Sequence, residues 1–173
     1  MISNDMSASL NTHMNLELQS AHLYLSMSSF ANTLGLKGSA NWFMVQYHEE
    51  MLHFMKFYTY LIDQGENITL NASTAVPNTY KSLLDMFEKT LIHEQMITKC
   101  INELSEQAVQ ERDHATQIFL QWFIIEQIEE ENNDRDIIAK LKLVGDNGQG
   151  ILMIDGEMAK RVFVPPPSAI AGA

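Results

Sequence analysis

FMVQYHEEMLHFMKFYTYL, residues 43–61, reads as an α-helix with an anomaly at its centre. Phe43, Tyr47, Phe54, Phe57 and Leu61 recur at the three- and four-residue steps of one helix face. Glu50 falls on that apolar face, and His53 follows three residues later, within reach of the same ion. A lone carboxylate in an apolar interior costs several kcal/mol unless it is paired or holds a metal.

Working outward, the pattern recurs. Glu17 interrupts the stripe Leu10, Met14, Ala21, Tyr24, Ser28 and Ala31. Glu94 interrupts Leu84, Phe87, Leu91, Ile97, Ile101 and Leu104, while Gln127 and Glu130 sit on a stripe through Leu120, Phe123, Asp134, Ile137 and Leu141. Glu17 and Glu50 lie 33 residues apart, and so do Glu94 and Gln127. A shift of 77 carries Glu17, Glu50 and His53 onto Glu94, Gln127 and Glu130. Any one of these residues alone would read as part of a solvated face. The doubled spacing on otherwise apolar stripes points instead to two helical hairpins whose polar residues converge. One metal ion would meet Glu17, Glu50 and His53. A second would meet Glu50 as a bridge, Glu94 and Glu130, with Gln127 a weak neutral ligand. Oxygen donors with one imidazole suit iron or manganese, with zinc a competitor.

Punctuation sets the expected boundaries. Asn4 and Asp5 are candidate caps for the first helix and Gly35 its end, with Lys37, Gly38 and Ser39 a short link to the second. Gly65 follows the second helix, and ENITLNASTAVPNTY, residues 66–80, is a polar aperiodic connection. Gln110–Asp113 is a short turn; Gly145, Gly148 and Gly150 end the fourth helix; ILMIDGEMAKRVF, residues 151–163, is a short fifth helix weakened by Gly156. Residues 1–163 are expected to form one domain and 164–173, with Pro165, Pro166 and Pro167, an extended tail. The expected fold is all-α: a four-helix bundle with one long crossover and a short C-terminal fifth helix.

Twenty-two acidic against 11 basic residues give a net charge of −11. That argues against nucleic acid and anionic membranes as partners. The single cysteine, Cys100, excludes an intramolecular disulfide and fits a reducing compartment. MISNDMSASL has neither a positive start nor an apolar core, so no secretory signal is expected, and no apolar run reaches the ~20 residues of a membrane span. A cytoplasmic protein is the expectation.

NLELQSAHLYLSM around Glu17, HEEMLHFM around Glu50 and His53, HEQMITKCINEL from Glu94 and FLQWFIIEQIEEE around Gln127 resemble the ferritins, most closely the bacterial and archaeal non-haem ferritins. The resemblance runs from about residue 5 to 160 and takes in ILMIDGEMAK of the fifth helix. It implies a ferritin-like bundle and a homo-oligomeric shell of 24 subunits storing ferric oxyhydroxide. It also implies a ferroxidase centre that oxidises Fe(II) with O2 or H2O2. By this resemblance Glu17, Glu50 and His53 form the first iron site, and Glu50, Glu94 and Glu130 the second, with Gln127 beside them. Glu49, Glu126, Glu129 and Glu130 match a third. Tyr24 matches the tyrosine beside the centre, as electron donor or as the partner that orients a carboxylate, whereas Trp122 reads as a core aromatic. No other histidine is assigned as a ligand, and His93 is expected to point off the core face. Haem is not expected: Met51 matches a haem-ligating position, but Glu130 stands where the haem-binding relatives carry a second histidine. Gln117 and Leu120 replace the carboxylates that line a three-fold channel in many animal ferritins. A passive iron store and a purely structural bundle are the rival readings.

Overall fold

The computed structural model describes residues 2–164. Five helices follow one another: α1 (Asn4–Thr33), α2 (Lys37–Asp63), α3 (Leu83–Gln110), α4 (His114–Val144) and α5 (Gly148–Met158). α1 packs on α2 and α3 on α4, α1 also meets α3, and α5 closes against α2 and α4. The residues between α2 and α3 form the one long crossover, so the expected bundle is the observed one. Beyond Val164, the proline-rich tail lies outside the described residues.

Boundaries differ from expectation where capping groups lie elsewhere. Ser3, not Asn4 or Asp5, caps α1, its Oγ accepting from the Met6 N–H at 2.9 Å. Lys37, Gly38 and Ser39 are not a link but the first turn of α2; the turn is Leu34–Leu36, with Gly35 at φ +79°. α2 has no side-chain cap of its own. Asp155 of α5 supplies one, accepting from the N–H groups of Gly38 at 3.0 Å and Ser39 at 2.6 Å. The approach is so close that a Cβ on Gly38 would lie 1.7 Å from the Asp155 carbonyl oxygen. Gly145 ends α4, but Gly148 and Gly150 belong to α5, because the Asn147 side chain accepts from Gln149 and Gly150 N–H and restarts the helix.

The crossover is aperiodic yet ordered. Asn11, Asn15 and Gln19 form an i, i+4 row on α1, and each both donates to and accepts from its backbone. Asn15, for example, donates to the Thr69 carbonyl at 2.7 Å and accepts from the Asn71 N–H at 2.8 Å. Side-chain amides thus take the place of a neighbouring strand for a segment without regular structure.

Apolar packing separates into two clusters. One gathers Tyr24, Met27, Phe43, Phe87 and Leu141; the other gathers Leu10, Met14, Phe57, Ile101 and Phe123. Between them lies a polar layer at the middle of all four long helices.

Candidate metal centre

That layer contains Glu17 of α1, Glu50 and His53 of α2, Glu94 of α3, and Gln127 and Glu130 of α4. None of the six is more than 4% exposed. Glu17, Glu50 and His53 each offer one ligating atom, all within 4.8 Å of one another. His53 Nδ1 is 3.3 Å from Glu50 Oε2. Across the layer, the Gln127 amide donates to Glu94 Oε2 at 3.0 Å and to the Glu94 carbonyl at 3.2 Å, tying α4 to α3. The Tyr24 hydroxyl donates to the other Glu94 oxygen. Gln46 donates to Glu130 Oε2 at 3.0 Å.

Burial dominates the electrostatics. It pushes Glu50 and Glu130 well above the usual carboxylate range, with neighbouring carboxylates adding to the shift, and it raises Glu94 to about 7 against the hydrogen bonds from Tyr24 and Gln127. Burial also acts upward on Glu17, but the charge and hydrogen bond of His13, 2.9 Å away, hold this carboxyl below its ordinary value. Burial lowers His53 and so favours the neutral imidazole, the form with a lone pair to donate. Glu17 Oε2 is buried without a hydrogen-bond partner. Crowded carboxylates that repel one another, a neutral imidazole and an unpartnered carboxylate oxygen suit a divalent cation.

Comparison with known proteins agrees. The ferritin-like domain family matches residues 7–144. The chain belongs to the ferritin family. A bacterial non-haem ferritin from Campylobacter jejuni is 41% identical over 155 residues, 90% of this chain and 93% of that protein. One from Escherichia coli is 39% identical over 159 residues, 92% of this chain and 96% of that protein. Among solved structures, an open-pore ferritin from the archaeon Archaeoglobus fulgidus superposes with a TM-score of 0.93 at 42% identity, covering 94% of this chain and all of that one.

In this ferritin the expected residues divide into groups. Glu17, Glu50 and His53 meet as predicted. Glu94, Gln127 and Glu130 share the layer but stand outside that close group, and Gln127 turns its amide N–H to Glu94. Tyr24 orients Glu94. Glu49 and Glu126 are partly buried and Glu129 is exposed. Glu49 is raised by burial and by the charges of Glu126 and Glu129, and is paired with Arg161 at 2.6 Å. His93 is partly buried, bonded to Ser20 Oγ at 2.7 Å with its ring edge-on to Tyr24. Trp122 packs edge-on against His53, its ring centroid 5.4 Å away, under the Lys56 ammonium.

Three further participants join the layer: His13 on Glu17 and Gln46 on Glu130, neither expected from the sequence, and Asp134, expected on the α4 stripe but given no role in the site. Asp134 is 1% exposed, neither oxygen has a partner, and burial lifts it to about 8. Each stands four residues from a layer residue (Glu17, Glu50, Glu130), on the same helix face.

Proposed function

We propose that this iron-storage ferritin subunit is itself a ferroxidase. It takes up two Fe(II) ions in the polar layer, oxidises them with O2 or H2O2, and passes Fe(III) to a store inside a cytoplasmic shell of 24 subunits. The observation that carries this reading is the convergence of Glu17, Glu50 and His53 with Glu94 and Glu130 in one buried layer, together with the partnerless Glu17 oxygen. Glu17, Glu50 and His53 hold one ion; Glu50, Glu94 and Glu130 hold the other, with Gln127 and Tyr24 fixing the angle of Glu94. Glu49, Glu126, Glu129 and Glu130 take a third, outer ion.

The balance is simple. Two Fe(II) give two electrons, and O2 takes these with two protons to become H2O2. Ion uptake draws protons off Glu94, which burial lifts to about 7, and burial pushes Glu50 and Glu130 in the same direction. No helix among the described residues is long and apolar enough to cross a membrane.

The test is anaerobic Fe(II) titration followed by rapid mixing with O2, for the wild type and Glu50→Ala. A transient visible absorbance that saturates near two Fe(II) per subunit and vanishes in the variant is the expected result. Slow oxidation, indifferent to the substitution, would leave a passive store.

A further inference from the structure

Glu49 already has a cationic partner. Arg161, just beyond α5, reaches back to α2 and donates from Nη2 to Glu49 Oε2 at 2.6 Å, with both side chains about four-fifths covered. Arg161 is held by side chain and backbone alike. Its guanidinium stacks on the Trp42 indole at 4.5 Å, while the Arg161 backbone carbonyl accepts from Asn41 Nδ2 at 2.9 Å and the Arg161 backbone N–H donates to the Met158 carbonyl at 3.1 Å. Nearby, Phe163 lies against the His48 ring with centroids 5.6 Å apart, so the segment after α5 is docked along α2. The charge of Arg161 also acts on Glu126 and Glu130. Its second terminal nitrogen, Nη1, is buried without a partner. A planar fork seated this way is a fixed cation, unlike the mobile ammonium of a surface lysine.

We propose that Arg161 is the resident counter-cation of the outer carboxylate cluster: its grip on Glu49 must break before a third metal ion is held there, so the segment after α5 and the third ion compete for one carboxylate. This rests on the reading of the layer as an iron site and adds to it a residue that sets how tightly the outer ion is held. Arg161 bonds to Glu49 and to none of Glu17, Glu50, His53, Glu94 and Glu130, and its charge reaches the inner centre only through Glu130, so the first ion is bound without regard to it and the second feels it less than the third.

The test is calorimetric titration of the metal-free assembled protein with Zn(II), a redox-inert probe, at neutral pH. In Arg161→Gln the third Zn(II) per subunit binds about two- to fivefold more tightly than in the wild type, the range such a charge pair is worth, the first is unchanged and the second shifts less than the third. Arg161→Lys, which keeps the charge but not the fork stacked on Trp42, restores only part of the wild-type weakness. Asn41→Ala, which loosens the Arg161 backbone and leaves its charge, shifts the third affinity in the same direction and serves if the Gln variant fails to assemble. Lys140→Gln removes a positive charge of the same face, paired with Glu157 at 2.8 Å, and leaves the third affinity unchanged. Equal third-ion affinity in wild type, Arg161→Gln and Asn41→Ala overturns the inference while the two-ion centre stands. So does equal tightening by Lys140→Gln, which would trace the effect to the overall field. Absence of even the first two ions would instead overturn the iron-site reading.

Discussion

Asp134 is a carboxylate with nothing to hold. It faces the polar layer from one turn beyond Glu130, between an acidic centre and an apolar cluster, with both oxygens unpartnered. Its cost to the folded chain is set by desolvation. Asp134→Val therefore stabilises the metal-free protein by about 1–2 kcal/mol, seen as a higher denaturant midpoint with unchanged slope. Tyr24 is the opposite case, a hydroxyl fully used. Tyr24→Phe frees one Glu94 oxygen, so oxidation slows about tenfold while anaerobic Fe(II) stoichiometry holds; a fall in stoichiometry would make Tyr24 part of ion binding itself. The six layer residues were legible in the sequence because each breaks an apolar stripe and the breaks repeat at one spacing. His13, Gln46 and Asp134 lie on the same faces one turn away. The mirrored spacing marks the centre of the layer and not its depth, so it gives His13 and Gln46 no signal and assigns Asp134, though it lies on the α4 stripe, no part in the site. The Arg161–Glu49 pair, 112 residues apart, follows no periodicity and had no signal to find.

At the scale of elements, the helices were legible and their joints were not. Periodicity located α1 to α4 because a packed helix must bury a stripe. Glycines misplaced the α1–α2 and α4–α5 boundaries, because a glycine marks a helix end only when no capping group lies across it. Gly38 is inside α2 for a reason of space: α5 leaves no room for a side chain. Gly38→Ala must push the Asp155 backbone away and break the cap it gives to α2. We expect a loss of about 1–3 kcal/mol and new protease cleavage within 148–158, with α3 and α4 still protected. Cleavage spread evenly over the chain would place the damage elsewhere.

The whole molecule carries its polar layer at a cost that depends on pH. Glu94 rises from 4.5 to about 7 and Asp134 from 3.8 to about 8 on folding, so between those values the folded chain holds protons that the unfolded chain has lost. The sign follows from linkage: where the native state binds more protons, stability falls as pH rises. The metal-free protein should therefore lose stability from about pH 4 to pH 8. Bound Zn(II) or Fe(II) needs the carboxylates ionised, so the ion-loaded protein should show a flatter or reversed slope over the same window. Denaturant titrations with and without chelator across that range measure both. Identical slopes would show that the layer carries no linked ion.

The cap on α2 also sets a clock. The carboxylate that ends the helix at Gly38 and Ser39 is Asp155, 117 residues downstream. At synthesis rates of about 5–20 residues per second, α2 waits roughly 6–25 seconds after its own first turn is made before its terminus is satisfied. The first hairpin can emerge and pair early, but it is finished only by α5. A chain cut short before residue 155 would carry every inner ligand of the iron site and still leave α2 open at its start.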